Sequence, residues 1–300
     1  MNTADQHLLN ERANNWGRWG NDDEAGALNL VTAEKTLAAL ALPVSGRVIS
    51  LAQPVGPQAG VPPHRNKGSR FMDRDAGDYA LGARSPNGFR FAEDTVQFST
   101  HSGTHVDALS HAWSGDELFN GYEAAGTRST SGAQKLGAEA LKPVLTRGVL
   151  VDLVAHNGAP LAPCTAINAR DLVEAYERAG LNPEAGDAVL LHTGWWQKMG
   201  GGPDYFDLEP GLSDSGAEWL AAHDAAIVGA DNYAVEVQPD PGGKTFPVHL
   251  RLLHRYGVPL IENLDLSELA SSGATSFLFI FSPIPLAGST AGPIAPLAVL

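Results

Sequence analysis

One cysteine, three methionines and a charged fraction of only 18% narrow what this 300-residue chain can do. The lone Cys164 excludes an intrachain disulfide and any cysteine-rich zinc or iron–sulfur centre. Basic residues are scarce as well. Lys and Arg total 20 against 34 Asp and Glu, a net charge of −14, whereas nucleic acid or an anionic membrane calls for a local basic excess. No apolar run approaches the roughly 18 residues of a membrane span. The N-terminus, MNTADQHLLNERANNW, is polar and acidic where a signal peptide carries an apolar core. These absences predict a soluble, cytoplasmic protein that partners neither nucleic acid nor membrane.

What is present is a globular composition, 43% apolar, with 33 glycines and 20 prolines that imply many tight turns and long ordered loops. Such a length suits one large α/β domain, or two ordinary ones. It buries roughly three quarters of its unfolded surface, so folding requires no disulfide or metal. Thr32 is placed to cap a helix over AEKTLAALAL, and GRVISLAQPV reads as a strand over 46–55. The stretch 56–92, rich in Gly, Pro, Arg and Asp and dotted with aromatics, reads as a loop that covers an active site or makes a flexible excursion. DTVQFST (94–100) is expected to be a strand. GVLVDLVAH, GDAVLLHTGWW, AAIVGAD, VPLIEN and TSFLFIFSP are the apolar strand candidates. Between them, INARDLVEAYERAG, SGAEWLAAHD and PVHLRLLHRYG carry helix signals: cap spacing at Asn168/Asp171 and Ser215/Glu218, Pro247 in a first turn, and Gly180 and Gly257 as stops. Helix and strand alternation of this kind is α/β architecture. The apolar, Pro-rich C-terminus is expected to dock on the body or on a partner subunit.

With thiolates excluded, histidine becomes informative. His101, His105 and His111 fall within eleven residues, in HSGTHVDALSH, with Asp107 among them. Taken singly, each reads as a turn cap or a satisfied polar-loop residue. Crowded together, they ask for a cation or a hydrogen-bonded network. Imidazole and carboxylate are ligands that divalent zinc or manganese accepts. Residues 101, 103, 105 and 107 share parity, so an extended stretch points His101, His105 and Asp107 one way. Gly103 lets the backbone bend or approach closely. His111, four residues past Asp107, stays near without having to be a ligand. Far downstream, His249 lies in an amphipathic segment and Glu262 ends an apolar strand, where ligand sites form in α/β sheets. A buried carboxylate there must be paired or metal-bound.

HSGTHVDALSH strongly resembles the H-x-G-T-H-x-D-x-x-x-H signature of the cyclase-like metal-dependent hydrolases, the family of bacterial kynurenine formamidase and isatin hydrolase. The resemblance extends in order through GADNYAVE around Asp231 to FPVHLRLLHRYGVPLIENLDL at 246–266. It implies a single α/β domain with a mixed central sheet or partial barrel flanked by helices, of the swivelling β/α/β type. Residues 46–300 would form the hydrolase domain and 1–45 an N-terminal extension packed on it. By the same resemblance His101, His105, Asp107, His249 and Glu262 are metal ligands. They would hold one or two zinc or manganese ions, with Asp107 or Glu262 bridging, in a homodimer or homotetramer. His111 would be the catalytic base or proton shuttle. The chain is about a third longer than the small formamidases and carries Leu109 where they typically have proline. The resemblance therefore implies the reaction class rather than kynurenine as substrate.

The expected reaction is hydrolysis of a C–N or C–O carbonyl bond in a small cyclic or aromatic amide, imide or lactone by metal-activated water. Phe71, Trp113, Trp195 and Asp231 are candidates for the substrate pocket, although Trp195 and Trp196 read equally well as core aromatics. The alternatives are an arylformamidase acting on N-formylkynurenine and a non-catalytic metal-binding protein on the same scaffold. A cysteine hydrolase would have to use Cys164, which follows Pro163 in a loop. A serine hydrolase would need a G-x-S-x-G elbow, which the sequence lacks.

Overall fold

Alternating apolar strands and amphipathic helices build a nine-stranded mixed sheet in the computed structural model, which describes residues 13–56, 61–79, 87–200 and 202–300. The strands in chain order are Val48–Ser50 (β1), His105–Asp107 (β2), Val144–Asp152 (β3), Ala188–His192 (β4), Ile227–Ala230 (β5), Leu260–Glu262 (β6), Ser276–Phe281 (β7), Ala291–Pro293 (β8) and Leu297–Val299 (β9). Their spatial order is β1-β9-β7-β3-β4-β5-β6-β2-β8. Strands β3 to β6 run parallel, and antiparallel strands extend the sheet on both sides. The result is a single α/β domain with a partly curled central sheet flanked by helices.

Burial on both faces explains why the parallel strands read as unbroken apolar runs. Alternation then sorts their side chains into two cores. Val149, Val151, Val189 and Leu191 join one, while Leu150, Ala188 and Leu190 join the other. The first core is closed by the helices Ala169–Ala179 and Asp214–Ala222, through Leu172, Tyr176, Ala217 and Leu220. The second holds Phe277, Phe279 and Phe281 from β7, an interior strand. The helix Ala169–Ala179 is capped as its sequence predicts. Asn168 Oδ1 accepts from the Arg170 and Asp171 backbone N–H groups, Asp171 Oδ2 accepts from Asn168 N, and Gly180 ends the helix in the left-handed region. Thr32 likewise caps Ala33–Leu40.

Several expectations need correction. The cap of Asp214–Ala222 is Ser213, whose hydroxyl accepts from Gly216 N. Ser215 lies inside the first turn. The strand expected over 46–55 is only three residues long, because its partner β9 is itself three residues long and the chain beyond Ser50 moves on to bridge Leu264 through Ala52. The 56–92 stretch is not wholly loop. Its Ser69–Arg74 pairs antiparallel with Glu93–Gln97 in a hairpin exposed on both faces, so the strand foreseen over 94–100 belongs to that hairpin and not to the main sheet. Parts of this stretch, and the polar start over 1–12, lie outside the described residues. The C-terminal tail does dock on the body, as β8 beside β2 and as β9 beside β1 and β7. Among the described residues no helix is long and apolar enough to cross a membrane.

One close approach ties the N-terminal segment to the helix that leads into β6. Ala27 N donates to Gly257 O at 2.7 Å, and Asn15 Nδ2 and Trp16 Nε1 donate to the carbonyls of Tyr256 and His254. Gly26 sits at φ +57° with Gly257 O only 2.3 Å from where a Cβ would stand. Gly26→Ala therefore meets left-handed strain and a backbone clash together. It is expected to lower stability by about 2 kcal/mol or more in chemical denaturation, with no change in the cavity's own residues.

Candidate metal centre and its cavity

The strand β2 is the foundation of the site. Within its three residues Val106 turns to the second core, so His105 and Asp107 must point to the opposite face. β6 pairs antiparallel beside it with Glu262 opposite His105. Leu260, two residues earlier, shares that face and lies in the first core, which places the Glu262 carboxylate on the side of His105 and Asp107. His101 arrives differently from the extended stretch expected. Residues 100–104 form a turn through Gly103 (φ +60°), which folds His101 back over the strand. His111 follows not on a helix but on a turn closed by His111 N donating to Ala108 O at 2.9 Å.

Their ligating atoms converge. His105 Nε2 is 3.2 Å from Glu262 Oε2 and 3.5 Å from Asp107 Oδ1. His249 Nε2 is 3.5 Å from Glu262 Oε1 and 3.7 Å from Asp107 Oδ2, and His101 Nδ1 is 2.9 Å from Asp107 Oδ1. His105, Asp107 and Glu262 form one group whose ligating atoms lie within 4.8 Å of one another, and His101, Asp107 and His111 form a second. Asp107 and His105 are fully buried, and Glu262 and His249 nearly so. Yet His101 Nδ1, His105 Nε2, both Asp107 oxygens and Glu262 Oε2 have no partner in hydrogen-bonding geometry. Buried polar atoms left in this state, gathered in two groups that share Asp107, fit a divalent cation.

The outer contacts agree with that fit. His105 Nδ1 donates to Gly103 O at 2.9 Å, which frees Nε2 for the site. His249 Nδ1 donates to Glu236 Oε1 at 2.5 Å, and the same carboxylate accepts from the first-turn N–H groups of Val248 and His249. Glu236 thus both caps the helix start and orients the His249 imidazole. Burial opposes a charge on His105, but Asp107 and Glu262 prevail and raise its pKa to about 10. Burial and Asp107 push the Glu262 carboxyl up, but His105 and His249 hold it down at about 2. A proton on His105 is the compensation available to two facing carboxylates when no cation is there, and metal binding would displace it. Glu236→Gln keeps the size and can still cap, but loses the charged acceptor of the imidazole N–H. Metal affinity is expected to fall about tenfold to a hundredfold, as titration with a competing chelator would measure.

A cavity of about 440 Å³ opens above these groups. Its walls include His111, Trp113, Tyr233, Phe246, Leu250, Glu262 and Arg65. Of the four residues proposed from sequence for the pocket, the structure brings Trp113 to it. Trp195 is buried in a separate aromatic cluster with Tyr205, its indole donating to Tyr205 O. Asp231 uses both oxygens on Thr193 and Gly194, joining the ends of β4 and β5. Phe71 is exposed on the hairpin. Cys164 is in a left-handed turn, its sulfur 3.9 Å from Leu208 O, and does not line this cavity. Glu236, Arg65 and Phe246 were missed. Glu236 stood inside the GADNYAVE string and Phe246 beside His249, but nothing in their spacing pointed to a partner.

Known proteins resemble this chain in sequence and fold. The family model described as "Putative cyclase" matches residues 39–237. A crystal structure described as a novel cyclase is 34% identical, with a TM-score of 0.89 over 97% of this chain and all of its own. The isatin hydrolase of Roseibium aggregatum is 26% identical over 222 residues, 70% of this chain and 75% of that protein. Isatin hydrolase A from Labrenzia aggregata, solved with benzyl benzoate, has the same fold at 18% identity, with a TM-score of 0.63 over 88% of this chain and 97% of its own.

Proposed function

The chain belongs to the cyclase family, and on that premise we propose that it hydrolyses the carbonyl C–N or C–O bond of a small cyclic or aromatic amide, imide or lactone. It is a metal-dependent hydrolase. The observation that carries the substrate reading is the pairing of a buried, unsatisfied ligand set with a cavity whose walls are largely aromatic and apolar. The similarity to a protein named isatin hydrolase supports a cyclic amide as one member of the class.

His101, His105, Asp107, His249 and Glu262 would hold zinc or manganese, ions that these ligand types accept. When bound, a divalent ion supplies Lewis-acid polarisation of a carbonyl and eases the ionisation of water. The chain's own residues do the rest. Trp113 and Phe246 flank the cavity and would seat a ring while excluding bulk water. Enclosure of the His111 ring lowers its pKa to about 4, against the pull of Asp107, so the imidazole is neutral near pH 7. It can take the proton shed by the attacking water and deliver it to the departing nitrogen or oxygen.

A panel of isatin, phthalide and N-formylkynurenine, offered to metal-reconstituted and EDTA-treated protein, tests this reading. Hydrolysis of the cyclic substrates, abolished by EDTA, is expected. Turnover of N-formylkynurenine alone would make the protein an arylformamidase. Stoichiometric metal with no hydrolysis of any member would make it a metal-binding protein without catalysis.

A further inference from the structure

Arg65 is the only arginine or lysine among the described residues that line the cavity. It is held from two sides. Its Nη1 donates to His101 O at 2.6 Å, and the guanidinium carbon stands 5.3 Å from the centre of the Tyr233 ring. No carboxylate among the described residues pairs with it, and the hydrogen bond to His101 occupies one N–H of the guanidinium fork. Holding a loop to one carbonyl needs only a neutral donor. A fixed, unpaired cation in a chain of net charge −14 calls for another explanation.

Charge balance supplies one. Asp107 and Glu262 carry two negative charges that one divalent ion would neutralise, and the third nearby carboxylate, Glu236, lies behind His249 and does not line the cavity, so Arg65 is left as the uncompensated charge on its wall. An anion entering it gains a planar donor fork already oriented by the His101 carbonyl and the Tyr233 ring. We propose that Arg65 is a specificity residue and that the preferred substrates carry a carboxylate on the ring or chain bearing the scissile carbonyl. The proposal rests on the hydrolase reading above and names its substrate class. The apolar walls would take the body of such a molecule, the metal centre its carbonyl, and Arg65 its carboxylate.

Binding to metal-loaded protein tests the idea apart from turnover. Phthalan and phthalan-5-carboxylate, which lack a scissile ring carbonyl, are compared by isothermal titration calorimetry. Wild type is expected to bind the carboxylate about tenfold to a hundredfold more tightly. Arg65→Met should erase that preference while keeping metal content and phthalan affinity, and Arg65→Lys should restore part of it. The proposal is overturned if wild type shows no preference or if the preference survives in Arg65→Met, the carboxylate then sitting on the metal. It is also overturned if Arg65→Met loses metal or phthalan affinity to the same degree, which would reduce Arg65 to a brace for His101. Phthalide turnover by the same wild-type preparation reports separately on the hydrolase reading.

Discussion

Asp107→Asn is expected to give a folded protein that no longer binds divalent metal and turns over at least about 10³-fold more slowly. Asp107 is the residue the two ligand groups share, and both of its oxygens are buried without hydrogen-bond partners. An amide in its place removes one of two facing carboxylates and offers at best one weak oxygen donor. The same change relieves a repulsion, because Asp107 works to raise the Glu262 pKa. That relief is outweighed: burial pushes the Asp107 carboxyl up, but His111, His101 and His105 hold it well below the usual carboxylate range, so metal-free Asp107→Asn should melt somewhat lower than metal-free wild type. Adding metal should raise the melting temperature of wild type, since a ligand at about 100 times its Kd stabilises by about 2.7 kcal/mol, and leave the variant unmoved. Thermal melts with and without Mn²⁺ or Zn²⁺ would check both halves. A variant that still gains stability from metal would remove Asp107 from the ligand set.

His111→Ala has the second-largest expected effect and the opposite signature. Metal content should stay at the wild-type level by elemental analysis while kcat falls about 10²- to 10⁴-fold, the range for a lost general acid–base group. The geometry makes the test sharp. The His111 ring centre is 4.1 Å from that of His101, and its ligating atom is grouped with those of His101 and Asp107. It also lines the cavity, where a proton would have to be moved. Loss of metal in His111→Ala would turn the residue from a proton shuttle into a ligand.

The sequence disclosed this site unevenly, for reasons rooted in distance along the chain. His105 and Asp107 were legible because a three-residue strand puts i and i+2 on one face by necessity. His101 was found for a partly wrong reason, since the chain turns at Gly103 instead of extending. His249 and Glu262 stood out one at a time, but that they complete the same centre had to be supplied by resemblance. What brings Glu262 opposite His105 is the register of two strands separated by more than half the chain, which no local pattern encodes. Glu236 and Arg65 act through contacts 13 and 36 residues away, with His249 and His101 respectively, and left no periodic trace. The same limit applies to the fold. Capped helices, apolar parallel strands and, through weak alternation, the strand near 94–100 were readable, whereas its hairpin partner Ser69–Arg74 was not, because that strand is exposed on both faces and has no apolar face to detect.

Metal content and phthalide turnover, measured together on one preparation as purified, after EDTA and after re-addition of Mn²⁺ or Zn²⁺, test the central claim most directly. Bound metal and turnover should fall together and return together in proportion. Undiminished turnover by metal-free protein, or failure of the wild type to bind either ion, would contradict the assignment of His101, His105, Asp107, His249 and Glu262 as the centre of a metal-dependent hydrolase.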